Sequence, residues 1–530
     1  MLKLPRPLLL LALLSFAIYA SPWLVSTKLI VIDEVGIDFF SSQLSQEGRL
    51  AFWPPGDELF DRRGFVSGHS VYRASGESVP KQPPGFILLA ALAKWLTPGK
   101  LYLLLNPMLG ACCVLLLVAI ARRYLPGEQL PLYAAILLAT TPVFVHWSQL
   151  FFLDNAHLCV FLLAFLFMLK SFESRHLISV AAFGMSLAAM IWMRQTSAVL
   201  LLPFALVWLM NWRRTNLRMW YAATGAFALP MALLLIFNDL VYGSPLEIGY
   251  TLETFAKMED RSANRVAVAA TLLTAETGSY ATRALSLGPA LLLAFPALPL
   301  AIAGLVGARA EPSMKQLSLF LLLTLLVLFA LFGNRLSYGT DRADLTLQSS
   351  MLRYLLPFIA LLPLPAIWLL AQSALKSCRW VAAVVAVNLC IAAFAHFGMI
   401  HTVLNRLYMD EVDQFVGDAT PQDTVAISRY WEFIVSSRRL AYSGHVSSSK
   451  TLQELIQAVH AQGYSVAMIF HETDKAMFDG LGDGPPFQVI RGPDELHPLL
   501  RMLPVPIPSA VYPVQLYLFP PPHAPLESRP

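Results

Sequence analysis

The chain is poor in charge. Of its 530 residues only 14% are Asp, Glu, Lys or Arg, against about 25% in soluble domains, and this excludes an ordinary water-soluble globule. Cysteine is also scarce. The five present, Cys112, Cys113, Cys159, Cys378 and Cys390, lie in or beside apolar runs, which argues against both a disulfide framework and a cysteine-based metal site. A net charge of +4 with no basic cluster excludes a nucleic-acid surface. Neither an internal repeat nor a low-complexity tract is present.

What the chain has in abundance is hydrocarbon: 56% of residues are hydrophobic. About eleven runs approach the roughly 17–25 residues of a bilayer-spanning helix. They cover 7–27, 101–121, 129–153, 154–169, 177–193, 195–212, 219–238, 284–308, 316–334, 354–375 and 380–405. The first is too long for a signal peptide and lacks a small-residue cleavage site. With the N-terminus inside, the cytoplasmic segments hold 13 Lys/Arg against 3 Asp/Glu, while the outer loops up to residue 400 hold 16 against 17. That asymmetry follows the positive-inside rule. It puts Asp33, Lys81, Asp154, Arg353 and the C-terminal tail on the non-cytoplasmic side.

The expected architecture is an all-α polytopic membrane module over 1–400, with juxtamembrane helices, followed by an exported α/β domain over 401–530. The first outer loop, 28–100, ends in an apolar helical pattern at 84–96. This is read as an interfacial helix, with Lys94 snorkelling and Trp95 at headgroup level. Further outer loops span 239–283 and 335–353. After residue 401 strand patterns at 424–428, 465–470 and 486–490 alternate with helical ones, and the last thirty residues are rich in proline. The tail holds 14 acids against 9 bases, so it does not bind anionic lipid.

Two acids, Asp33 and Glu34, stand just past the first apolar run. Carboxylates held at the edge of a bilayer lose hydration, so they are read as functional. Transfer from a polyprenyl-phosphate sugar needs a carboxylate base, cations for the departing phosphate and an apolar groove for the lipid. Asp33 and Glu34 can supply the first, Lys81 with Arg194, Arg261, Arg265 and Arg353 the second, and the 84–96 helix a wall of the third.

These motifs resemble the C-type (GT-C) membrane glycosyltransferases, in particular the protein O-mannosyltransferase and aminoarabinose-transferase superfamily. The resemblance rests on Asp33-Glu34 early in the first outer loop and on Lys81-Gln82-Pro83-Pro84 closing it, one residue longer than the usual Lys-Pro-Pro turn. It also rests on Asp154 in Phe152-Leu153-Asp154-Asn155, Gly243-Ser244-Pro245 with Gly249-Tyr250, and the string Arg353 to Pro357. It covers roughly the first 370 residues. It implies inverting transfer from an undecaprenyl- or dolichyl-phosphate sugar to a glycan, lipid or protein acceptor, in a multi-pass protein of the bacterial inner membrane. Asp33 would be the base, Glu34 its supporting carboxylate, Asp154 a further acid, and Lys81 a ligand of the lipid phosphate. Tyr250 would join the donor site. No cofactor and no metal site are expected, with a divalent metal as the alternative.

Blander readings stand beside these. Asp154 suits a helix N-cap, Lys81, Arg194 and Arg353 suit interface anchors, and Tyr250 and Trp53 suit packing. His146 and His157 flank Asp154 but make a weak metal pattern. The rival functions are a transporter or flippase of a lipid-linked glycan, and a non-catalytic scaffold for the tail. The first would want charge at mid-span or broken helices in corresponding halves; the second would not need the acidic pair.

Overall fold

The structure, a computed structural model of the chain, describes residues 5–51, 70–73, 77–250, 287–308, 311–332, 347, 350–372, 377–395, 398–407 and 410, with short stretches at 424–428, 441–442, 456–457, 460–461, 465–471, 488–491 and 514–519. Apolar segments without water must satisfy their backbone internally, and helices do so within one segment. Six helices are long and apolar enough to cross a membrane: Arg6–Val25, Leu101–Ala121, Asp154–Ser174, Leu217–Tyr242, Pro312–Leu331 and Cys378–Leu407, the last running over 396–397, which lie outside the described residues. Shorter apolar helices stand at Pro84–Leu96, Leu177–Met193, Gln195–Met210 and Leu356–Gln372.

Two of the runs read as single spans are broken. Gln129–Thr140 and Pro142–Ser148 meet at 64°, and Leu287–Ala294 and Leu298–Gly307 at 102°. Pro142 opens the second helix of the first pair, and Pro296 lies in the break of the second. Proline lacks the N–H that would continue a helix and restricts the residue before it, so the direction changes there. Counting each bent pair as one span gives eight.

In chain order, α1 is Arg6–Val25 and α2 is Ile32–Glu47. A hairpin follows, β1 (Ser70–Tyr72) antiparallel to β2 (Ser78–Pro80). Next come α3 (Pro84–Leu96), α4 (Leu105–Ala121), α5 (Gln129–Thr140), α6 (Pro142–Ser148), α7 (Asp154–Ser174), α8 (Leu177–Met193), α9 (Leu201–Met210) and α10 (Leu217–Tyr242). Aromatic rings lock the bundle interior. Phe161 of α7 meets Phe204 of α9 at 5.5 Å between centroids, and both lie against Phe320 of Pro312–Phe332. Such tilted and edge contacts suit the ring quadrupole. The outer face remains apolar, with Ile178, Tyr221 and Leu240 each more than two-thirds exposed, as lipid contact requires.

The segment Ile32–Glu47, part of the expected outer loop 28–100, is helical. Glu34 at its third position accepts from the Ile30 and Val31 N–H groups at 2.8 and 3.0 Å. That satisfies helix-entry donors while placing negative charge at the positive end of the helix. Lys94 does not snorkel. Its side chain is 8% exposed and its Nζ reaches Asp38 Oδ1 at 2.7 Å and Ser42 Oγ at 2.6 Å, tying α3 to α2. Trp95 is 73% exposed.

The described C-terminal strands form one mixed sheet: Ala441–Tyr442, Thr424–Ser428, Ser465–His471, Val514–Phe519, Gln488–Arg491, in that spatial order. Thr424–Ser428 pairs in parallel with Ala441–Tyr442 and Ser465–His471, and the pairings of Val514–Phe519 are antiparallel.

Candidate functional site

Segments far apart in sequence converge on Asp33 in the first turn of α2. Gln82, in the turn between β2 and α3, donates from Nε2 to Asp33 Oδ1 at 2.9 Å. Arg353, in the helix Ser350–Tyr354, donates from Nη1 to Asp33 Oδ2 at 3.2 Å. The Arg353 guanidinium rests among aromatic faces, 5.0 Å from the Phe152 ring centroid, 5.2 Å from Tyr354 and 5.6 Å from Trp147. Cation–π attraction and burial together restrict where that charge can sit.

Asp154 opens α7 and forms an ion pair with Arg194, the residue that closes α8. Both charges match the helix ends that carry them. Asp154 is the first helical residue and not the N-cap, which is Leu153. Arg194 also stacks 4.5 Å from the Tyr354 centroid, so Tyr354 lies between the two arginines. Among the described residues, Asp154 Oδ2 and Arg353 Nε are buried without a hydrogen-bond partner, a state that calls for an explanation in a folded protein.

Lys81 stands next to Gln82 with its Nζ 5.5 Å over the Tyr250 ring. Tyr250 belongs to the same cluster electrostatically. Loss of hydration raises its phenol above the ordinary range, Asp33 and Tyr354 push the same way, and Arg353 and Arg194 oppose them. Gly249 packs on the Lys81 backbone so closely that a Cβ would overlap the Lys81 carbonyl and Cα. Only glycine permits this approach, so the Gly249-Tyr250 segment lies against the turn that bears the lysine.

Asp33, Lys81, Asp154, Arg194, Tyr250 and Arg353 are therefore one constellation at the ends of α2, α7 and α8. Formally it carries three cations against two carboxylates. Arg261 and Arg265 lie outside the described residues, as does Trp53. Glu34 faces another way. It is fully buried, its Oε1 accepts from the Phe151 N–H at 2.5 Å, and the same oxygen lies 3.6 Å from Arg406 Nη2. Arg406 is itself fully buried, donating to the carbonyls of Lys28 and Gln149 and lying 3.4 Å from the Trp23 ring centroid. His157 shares a hydrogen bond of 2.7 Å with Ser197 Oγ.

Sequence reasoning missed Gln82 and Tyr354 as parts of this assembly, and Arg406 as the partner of Glu34. Gln82 was visible only as one residue too many in the Lys-Pro-Pro turn, and Tyr354 only as part of a string. Nothing in the local pattern marks Arg406.

Residues 81–237 match the family profile described as dolichyl-phosphate-mannose-protein mannosyltransferase. Among solved structures, ArnT from Cupriavidus metallidurans bound to undecaprenyl phosphate superposes with a TM-score of 0.60, covering 96% of this chain and 97% of that one at 12% identity. The chain has the ArnT fold. The apo form of ArnT gives 0.59 at 11% identity over the same shares. No curated protein matches by sequence. The profile begins at Lys81 and ends in α10, so it takes in Asp154 and Arg194 but neither the acidic pair nor Arg353. The ArnT fold extends the likeness across nearly the whole chain and bears out the GT-C resemblance stated from the sequence motifs.

Proposed function

We propose that the protein is an inverting glycosyltransferase that moves a sugar from a polyprenyl-phosphate donor to an acceptor on the non-cytoplasmic face of a membrane. The observation that carries this reading is Asp33, whose two oxygens are held by Gln82 and Arg353 within a cluster that also contains Lys81 and has one cation in excess. An acceptor hydroxyl gives its proton to Asp33 as its oxygen attacks the anomeric carbon. The bond from that carbon to the phosphate oxygen breaks on the opposite side, which inverts the centre, and the polyprenyl phosphate leaves with the bonding pair. Lys81 meets the charge that develops on the phosphate, with Arg194 and Arg353 supporting it. Fixed donors aimed at such charge in a water-poor site are worth far more than in water. The likeness to a protein whose structure holds undecaprenyl phosphate supports that lipid class.

Membrane placement follows the charges. Eleven crossings arise if Leu177–Met193, Gln195–Met210 and Leu356–Gln372 join the eight counted with bent pairs, each spanning roughly 25 Å at 1.5 Å per residue. The N-terminus then lies inside, the α3 helix lies along the outer interface, and the C-terminal sheet belongs to an exported α/β domain. A bacterial inner membrane with the site facing the periplasm fits this arrangement.

The test is incubation of purified protein with a panel of labelled polyprenyl-phosphate sugars and with glycan, lipid and peptide acceptors. Transfer from one monophosphate donor, lost in Asp33→Ala, is the expected result. Transfer that persists in Asp33→Ala would overturn the reading.

A further inference from the structure

We propose that Gln82, the residue by which the turn departs from Lys-Pro-Pro, is a positioning residue that keeps the Asp33 carboxylate charged and aimed. The inference rests on the reading of Asp33 as the base. Its support is geometric. Gln82 is 1% exposed and its amide donates to Asp33 Oδ1 at 2.9 Å, opposite Arg353 on Oδ2. A carboxylate held on both oxygens has one orientation left.

The backbone around Gln82 is fixed on both sides. Before it, the Lys81 backbone is covered by Gly249 with no space for a side chain. After it, Pro83 and Pro84 set two successive φ angles and open α3. One residue further, a Cβ on Gly85 would stand 2.6 Å from the Trp192 carbonyl of α8, so the start of α3 is seated directly on that helix. Gln82 thus projects from a closely packed frame, which is what holding a base within a fraction of an ångström demands. An inserted residue that only lengthened the turn would have no need of a buried amide on the acid.

A hydrogen bond to the ionised form of a carboxylate favours that form, and an added negative charge nearby opposes it. Among the described residues, the charged and titratable groups grouped with Asp33 include Arg353, Asp154, Arg194, Tyr250, Tyr354 and Lys81, and a change at Gln82 alters none of these. Replacing the amide therefore shifts the acidic limb of the pH–rate profile to higher pH, because the base takes up its proton sooner.

The experiment measures kcat, the donor KM and the pH profile for Gln82→Glu, Gln82→Met and Asp33→Ala, using the undecaprenyl-phosphate sugar that the wild-type protein turns over. Gln82→Glu conserves shape, and Gln82→Met conserves approximate volume without a donor, so one serves if the other fails to fold. The expected result is a fall in kcat of about ten- to a hundredfold, an acidic limb raised by about one pH unit or more, and a donor KM changed less than about twofold. A profile like wild type in either folded variant, with Asp33→Ala inactive, overturns the role of Gln82 and leaves the base standing. Full activity in Asp33→Ala overturns the base reading beneath it.

Discussion

At the residue scale the acidic pair divides into two kinds of carboxylate. Asp33 is bound by side chains, from Gln82 and Arg353, and lies in the cluster with Lys81 and Tyr250. Glu34 is bound by the backbone at Ile30, Val31 and Phe151 and faces the buried Arg406. Glu34 thereby joins the start of α2 to the approach to α7, and Arg406 joins both to the end of the last apolar helix. Asp33→Ala is expected to lower transfer by about 10²–10⁴-fold, the usual worth of a general base. Glu34→Ala removes the larger of the two carboxylate influences on the buried Arg406, leaving Asp410, and is expected to cost up to roughly 3–5 kcal/mol of stability. Glu34→Ala combined with Arg406→Met should be less destabilising than the sum of the two single changes, since the pair is coupled. Additive melting shifts would deny that coupling. The sequence showed two adjacent acids, but their division depends on partners some fifty to 370 residues away, which no local pattern reports.

At the element scale, what hydrophobic pattern and proline chemistry specify was legible. The proline pair at 83–84 marks the start of α3, and most apolar runs became helices. Pattern failed where polar contacts decide. Residues 32–47 do space Ile32, Val35, Phe39, Phe40 and Leu44 as one helix face, but the run is short, polar and set inside the expected outer loop. Lys94 reads as an interface anchor in the absence of its partners Asp38 and Ser42. Burial pushes the Lys94 ammonium below its ordinary range, with Asp38 pulling the other way. Between the folded value and the unfolded value of about 10.4, the unfolded chain binds more protons, so stability rises with pH in that window. Asp38→Asn removes the opposing pull and extends the window downward. Its melting temperature should fall below wild type at pH 7, and the deficit should narrow toward pH 10. A deficit independent of pH would place the cost elsewhere. Gly249→Ala tests a second junction. The added methyl cannot fit against Lys81, so donor KM should rise about tenfold or more while the helical circular-dichroism signal is kept.

At the scale of the whole molecule, 12% identity accompanies a TM-score of 0.60 over nearly the full length. The arrangement of apolar helices survives where most side chains differ, because lipid constrains backbone satisfaction more than it constrains side-chain identity. The charge asymmetry of 13 to 3 over the proposed inner segments against 16 to 17 outside is the sequence counterpart of that arrangement. It should appear in labelling: single cysteines at Ser174 and Ser244 in a background with native cysteines replaced are expected to react from opposite sides of sealed vesicles. Labelling of both from one side would remove the orientation. The convergence of the acid and the lysine before the proline pair is the claim on which the functional account turns. A structure of the protein with undecaprenyl phosphate bound tests it most directly. The account expects the phosphate within hydrogen-bonding distance of Lys81 Nζ and beside Asp33, with occupancy reduced in Lys81→Ala; a phosphate seated away from both residues, or bound equally well without the lysine, would contradict it.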